Sequence, residues 1–186
     1  MKYNNTTNIA LIGYGYWGKI IYKYLTDIDS FNLKYVYFKS LNKLDQTLII
    51  KEYGPEFVNS IDTIWNDESV KNVIIATPIN THYMLVLDAL NMSKNVLVEK
   101  PLTLNYKESY ELKEKAKKNN CLLMTDYTYT FSESIHFIQK YLRKNIVGNV
   151  KSINICFKQF GRFMGYDVYA LLGAHALSII DMFIPL

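Results

Sequence analysis

Three short runs and one histidine in this sequence have the residue types and spacing to do chemistry. The first run is Gly13-Tyr14-Gly15-Tyr16-Trp17-Gly18, which follows the apolar stretch from Asn8 to Ile12 without a gap. In a GxGxxG turn the first glycine makes the tight turn out of a strand. The second lets the backbone approach a pyrophosphate, and the third lets the next helix pack closely on the strand. The helix N-terminus, with Tyr16 and Trp17 beside it, offers free N–H groups and a partial positive charge to the phosphates of a dinucleotide. Lys19 either adds charge there or is solvated. Glycine turns that bind nothing are common, so the weight rests on context: an apolar strand before the run and a helical pattern after it.

An acid about 20 residues further on, at the end of the second strand, normally holds the ribose 2′-OH of NAD. That place falls at Phe38-Lys39-Ser40, where no acid stands. Lys39 and Ser40, with Asn42 and Lys43 behind them, suit a 2′-phosphate instead, which gives a weak preference for NADP. The alternative is a set of loop residues that touch nothing.

The second run is Ala76-Thr77-Pro78-Ile79-Asn80-Thr81-His82, at the end of the apolar stretch Val73 to Ala76. Ligands of open parallel sheets bind at the carboxyl ends of the strands. There Thr77, Pro78 and Asn80 are candidates to pack along the nicotinamide ribose. His82 opens the next helix and is read either as a cofactor contact or as a helix-start hydrogen bonder. The third run, Glu99-Lys100-Pro101, ends the following strand on the same edge. A lysine there is unusual. Beside the positive nicotinamide of an oxidised cofactor its pKa falls, which suits proton transfer near neutrality. Glu99 is placed to fix it, and the Lys-Pro bond is a candidate cis peptide. Without the other two runs, Lys100 would read as a strand-end lysine reaching solvent. The histidine is His175, in an apolar segment from Val168 to Phe183, where taken alone it reads as a core histidine.

The elements that must position these residues are short apolar strands alternating with helical patterns. Strands are expected at 8–12, 31–38, 73–76, 95–99 and 121–127. Helices are expected at 19–25, 81–90 and from Asn105 as cap to about Lys118, with a helical turn at 62–65. The stretch 44–57 is a less regular helix and loop. That alternation predicts an α/β fold, a doubly wound parallel sheet with right-handed crossovers, over residues 1–125. From residue 126 the style changes: a helix over 132–143, then a long strand over 150–160. In that strand Ile153, Ile155 and Phe157 alternate with Asn154, Cys156 and Lys158, as in a sheet with two different faces. Residues 126–186 therefore read as a second unit of different style, with its own helix and a two-faced strand.

Composition narrows the class. With 49% apolar and 20% charged residues, the 186-residue chain can build a real core. No apolar run is long enough to span a bilayer, and the N-terminus lacks the pattern of a secretory signal. A cytoplasmic protein with no membrane partner is expected. The net charge of +4 does not make a nucleic-acid binder, because the densest lysines, Lys113 to Lys118, alternate with Glu111 and Glu114 as on a solvated helix face. Cys121 and Cys156 have neither a metal nor a CxxC spacing. Both are expected to be buried thiols in a reducing compartment, and no metal site is expected.

The three runs in this order resemble the Gfo/Idh/MocA oxidoreductase family. The matching stretches are GYGYWG, ATPINTH and VEKPLTLN, then LLMTDYTYTFSESIHFIQKYL with Gly148-Asn149-Val150. The resemblance runs from about Ile9 to the last residue. It implies a dinucleotide-binding Rossmann domain over 1–125 followed, over 126–186, by part of a substrate and oligomerisation α/β domain with an open, mostly antiparallel sheet. It also implies hydride transfer between NAD(P) and a hydroxyl-bearing carbon of a sugar, sugar nucleotide or inositol. Lys100 is then the catalytic acid/base or substrate-orienting lysine, Tyr127 and Tyr129 open the substrate cleft, and His175 faces the substrate hydroxyl. Two departures stand out. Leu171 occupies the place where many family dehydrogenases carry an aspartate four residues before the histidine, and family members are longer. The chain therefore reads as truncated or shortened, with most of the usual interface sheet missing. The expected alternative is a catalytically impaired paralogue that only binds the dinucleotide. An unpaired strand at 150–160 is expected to favour self-association.

Overall fold

In the computed structural model, which describes residues 6–39, 54–158 and 168–184, the apolar runs up to residue 126 become strands of one sheet. β1 (Thr7–Ile12) leads through the glycine turn into α1 (Tyr16–Thr26), and β2 (Phe31–Tyr37) follows. Next come β3 (Glu56–Val58), the single turn α2 (Asp62–Trp65) and β4 (Asn72–Ile75). A 3₁₀ turn over Ile79–Thr81 opens α3 (His82–Asn91), and β5 (Asn95–Glu99), α4 (Tyr106–Lys118) and β6 (Leu123–Asp126) complete the series. The strand order is β3-β2-β1-β4-β5-β6. β1 pairs in parallel with both β2 and β4, β2 with β3, and β4 with β5. The order reverses between β1 and β4, the switch point at which such sheets take up dinucleotides.

Alternation along each strand explains why helices cover both faces. Ala10 and Ile12 of β1, with Val73, Ile75, Val96 and Val98, face a core that also holds Val86, Ala89 and Leu90 of α3 and Leu112 and Ala116 of α4. Ile9 and Leu11, with Leu33, Val36 and Ile74, face the other core, against Leu25 and Ile21 of α1. Strands buried on both faces read as unbroken apolar runs, which is how β1 and β4 look in the sequence. α4 begins where predicted: the Asn105 side chain accepts from the Lys107 amide at 2.9 Å. Glu108 in its first turn and Lys115, Lys117 and Lys118 in its last complement the helix dipole.

The amino edge of the sheet is tied up in polar contacts. Asn8 bonds Asn32 and Ser69, and Asn95 bonds Asn72. The buried Lys94 ammonium donates to the carbonyls of Asp67 (2.9 Å) and Val70 (2.7 Å). Lys34 and Ser69 hydrogen-bond the Asp67 side chain and hold its carboxyl well below the usual carboxylate range.

The chain divides into two compact units, Met1–Thr125 and Asp126–Leu186. In the second, a 3₁₀ turn over Thr128–Phe131 precedes α5 (Glu133–Arg143), and a π-helical turn over Tyr169–Gly173 runs into α6 (Ala174–Phe183). Gln139 of α5 donates to the Met182 carbonyl of α6 at 2.7 Å.

Three sequence expectations need correction. Residues 56–58, expected to close an irregular helix and loop, form β3 on the sheet edge; residues 44–53 of that expectation lie outside the described residues. No strand forms over 150–158, and residues 159 and 160 are also outside. The expected alternation is present, with Ile153, Ile155 and Phe157 half-buried and Asn154, Cys156 and Lys158 exposed. A ladder, however, needs a partner strand, and none of the described segments supplies one. For the same reason Cys156 is exposed rather than buried, since it falls on the outer side of that alternation. Cys121 is half-buried, and burial pushes its thiol pKa up.

Candidate functional site

The carboxyl edge of the sheet, unlike the amino edge, is built as an opening. Gly13 leaves β1 with φ +104°, a conformation that favours glycine, and its amide donates to the Tyr37 carbonyl at 2.9 Å. A Cβ at Gly13 would lie 2.5 Å from the Ala76 carbonyl oxygen and 2.9 Å from the Thr77 methyl. The turn is therefore pressed directly onto the end of β4. A Cβ at Gly18 would lie 2.1 Å from the Gly13 carbonyl oxygen, so α1 can sit this close only without one. Gly15 differs. It is the N-cap of α1, and a Cβ there would meet nothing within 4 Å. No side chain caps this helix end and no acid lies in its first turn. The open space at Gly15 thus adjoins the N-terminus of α1, the kind of place where a pyrophosphate binds. Tyr16 and Trp17 flank it, both more than half exposed, with rings edge to face at 5.3 Å. Lys19 lies over the Tyr14 ring at 5.5 Å.

On β4, Thr77 is half-buried and Pro78 and Asn80 are exposed at the rim. The Thr81 hydroxyl bonds the Thr77 hydroxyl and the Pro78 carbonyl, each at 2.7 Å. His82, a candidate cofactor contact, is turned inward instead. It is 1% exposed, with Nε2 2.9 Å from the Thr77 carbonyl oxygen and Nδ1 3.0 Å from that of Pro101. Its helix-start reading fits this better than direct contact with a ligand.

At the end of β5, Lys100 is half-buried and the Lys100-Pro101 bond is cis. Burial pushes the Lys100 pKa below the ordinary lysine value, and the negative Glu99 partly opposes the shift. The Glu99 carboxylate accepts from the Lys100 amide at 3.3 Å. This lowering comes from desolvation by the protein itself and is separate from any charge a bound cofactor would add. Lys39, at the end of β2, is exposed, and Ser40 lies outside the described residues along with Asn42 and Lys43.

The second unit carries the remaining candidates. The Tyr129 ring packs edge to face on His175, with centroids 5.1 Å apart. Phe157 lies 5.5 Å from Tyr129 and 6.3 Å from His175, an aromatic neighbour the sequence reading did not name. Burial pushes the Tyr127 pKa up. Leu171 sits in the π-helical turn before His175, and Asp167 is outside the described residues. The sequence reading also passed over Asp126, the last residue of β6, whose carboxyl is pushed up by burial and receives a bond from Thr128 at 3.5 Å. Its signal was an acid at the end of an apolar strand. A surface hollow lined by Glu133, Ser134, Phe137 and Ile138 contains none of these residues. Among the described residues, no group of three His, Cys, Asp or Glu side chains is arranged to hold a metal, and no helix is long and apolar enough to cross a membrane.

Comparison with known proteins bears on the family and the fold. Residues 7–127 match the Gfo/Idh/MocA family, described as an oxidoreductase family with an NAD-binding Rossmann fold. An uncharacterised oxidoreductase of Streptococcus pneumoniae is 28% identical over 141 residues, 76% of this chain and 37% of that protein. The scyllo-inositol 2-dehydrogenase (NADP(+)) of Bacillus subtilis is 23% identical over 84% of this chain and 43% of its own length. The crystal structure of GenD2 from gentamicin A biosynthesis, in complex with NAD, superposes on 97% of this chain and 54% of its own, with a TM-score of 0.81 at 19% identity. The chain thus spans about two-fifths of the length of these curated relatives.

Proposed function

This chain belongs to the Gfo/Idh/MocA oxidoreductase family with its NAD-binding Rossmann fold, and from that premise we propose that it moves a hydride between NAD(P) and a hydroxyl-bearing carbon of a sugar, sugar nucleotide or inositol. The observation that carries the reading is the carboxyl edge of the sheet. Open space at Gly15 adjoins the start of α1, which no Gly15 side chain caps, and a half-buried lysine follows β5 two strands away. The inositol dehydrogenase among its relatives supports the substrate class.

Gly13, Gly15, Tyr16, Trp17 and Gly18 hold the pyrophosphate, and Thr77, Pro78 and Asn80 line the nicotinamide side. When bound, the dinucleotide accepts or returns the hydride. Lys100 takes the hydroxyl proton in the oxidising direction and gives it back in the reducing one. Its burial suits this, because desolvation disfavours the ammonium and brings the free amine within reach at lower pH. In the second unit His175, with Tyr129 packed on it, and Tyr127 are the substrate-side residues that the family resemblance implies. A 2′-phosphate on Lys39 is the reason to expect a weak preference for NADP.

The test is turnover of NAD and NADP across a panel of sugars, sugar nucleotides and inositols, with Lys100→Ala beside the parent. The parent is expected to turn over at least one substrate, and Lys100→Ala to lose roughly 10²- to 10⁴-fold in kcat. Oxidation is expected to rise with pH through a titration below that of an ordinary lysine, because the deprotonated amine is the working form. A second reading rests on Leu171, which stands where the resemblance implies an acid: the chain binds the dinucleotide without turnover. Tight cofactor binding with no turnover by the parent on any substrate would establish that reading and sink the first.

A further inference from the structure

Among the described residues of the first unit His82 is the most deeply buried polar side chain, 1% exposed, and both its ring nitrogens meet backbone carbonyls. Nε2 meets the carbonyl of Thr77, at the end of β4, and Nδ1 meets the carbonyl of Pro101, just beyond β5. Carbonyl oxygens only accept. Either neutral tautomer therefore donates across one contact, and a ring with both protons donates across both. The two carbonyls belong to different halves of the site. Thr77 abuts the glycine turn, since its methyl is 2.9 Å from where a Gly13 Cβ would stand. Pro101 follows Lys100 directly, and having no N–H it leaves its carbonyl as its one polar backbone handle.

We propose that His82 is a positioning residue, a brace whose ring, with a proton on each nitrogen, donates separately to the Thr77 edge of the cofactor cradle and to the backbone that carries Lys100. It touches neither cofactor nor substrate and acts through the residues it holds. With the Glu99 carboxylate on the Lys100 amide, it fixes the end of β5 from two sides. A buried ring filling core volume would show no such division of labour. The proposal deepens the reading of this edge as an NAD(P) site and rests on it for the meaning of the Thr77 half.

The geometry supplies a test in which each arm is cut alone. An asparagine amide nitrogen falls near the Nδ1 position, so His82→Asn keeps a donor for Pro101 and loses the one for Thr77. A glutamine amide reaches the Nε2 position, so His82→Gln keeps Thr77 and loses Pro101. Two readouts on the full chain separate them. One is the titration of Lys100, followed by NMR after reductive ¹³C-methylation and assigned with Lys100→Arg. The other is NADH affinity by fluorescence. His82→Gln is expected to let Lys100 titrate higher, by roughly half a unit to one unit, as its backbone loosens toward solvent. NADH affinity should then be nearly that of the parent. His82→Asn is expected to keep the Lys100 titration and to weaken NADH about tenfold, the worth of one buried hydrogen bond. Equal changes in both readouts for both variants, or none in either, would overturn the brace. Should neither variant fold, the parent decides: two slowly exchanging His82 ring N–H protons are expected, one with cross-relaxation to Pro101 and one to Thr77, and the absence of either overturns the proposal. A parent that binds no NADH would refute the dinucleotide reading while the Lys100 titrations still judged the brace.

Discussion

Two glycines of one motif do different work, and single substitutions separate the two kinds. At Gly13, alanine must adopt φ +104° and put its methyl 2.5 Å from the Ala76 carbonyl oxygen. Gly13→Ala is therefore expected to cost at least about 2 kcal/mol of stability, from backbone strain and displacement of the β4 end together, and to lower the urea midpoint. At Gly15 the backbone is ordinary (φ −78°, ψ −156°) and the space beyond is empty. Gly15→Ala is expected to leave the urea midpoint within about 0.5 kcal/mol of the parent and to weaken NADH by an order of magnitude or more, measured by fluorescence titration. Equal loss of stability in both variants would mean that Gly15 is a turn residue and no cradle. The spacing of the run already gives each glycine a separate job; the structure adds what stands at each, the Ala76 carbonyl at Gly13, the Gly13 carbonyl at Gly18 and open space at Gly15. His82 teaches the same lesson. Its position at a helix start was legible, whereas the carbonyl of Pro101 that fixes its ring lies nineteen residues away and leaves no local mark.

At the level of elements, legibility followed local self-sufficiency. β1 and β4 were readable because strands covered on both faces are apolar throughout. α4 was readable because its cap and charge order are written in sequence, and this makes it testable. Asn105→Ala removes the acceptor for the Lys107 amide and is expected to cost about 1 kcal/mol, seen as a lower melting temperature with unchanged NADH affinity, since α4 contributes no candidate cofactor residue. A drop in affinity without a loss of stability would contradict the purely structural role of this cap. β3 was missed because its three residues, next to Gly54-Pro55, carry too little pattern, and only pairing with Tyr35, Val36 and Tyr37 makes them a strand. Over 150–158 the opposite happened: a clear alternation predicted a strand, but alternation records which side is covered and says nothing of who pairs with the edge.

Taken as a whole molecule, the two units differ in how much they bury. The first packs both faces of its sheet, with side chains such as Leu11, Ile12, Ile75, Val98 and Leu112 fully excluded from water. In the second, Ile179 is the one hydrophobic side chain in the buried class among the described residues. Much of its apolar surface faces outward: Phe137 and Leu177 are 59% and 58% exposed, and the Phe137 and Tyr141 rings stack at 4.5 Å on the surface of α5. Exposed apolar groups gathered in this way favour association, because each large side chain withdrawn from water contributes about 1.5–3 kcal/mol. The chain is therefore expected to self-associate as its concentration rises from micromolar toward millimolar, through the second unit. Sedimentation velocity checks this directly. Phe137→Lys is expected to weaken association roughly tenfold, the equivalent of one such side chain. Leu104→Lys, at an exposed leucine of the first unit, serves as the matched control and is expected to change it little. A parent that stays monomeric over that range would show that these rings are tolerated in water. Equal weakening by both substitutions would show that added charge, and not the second unit's surface, governs association.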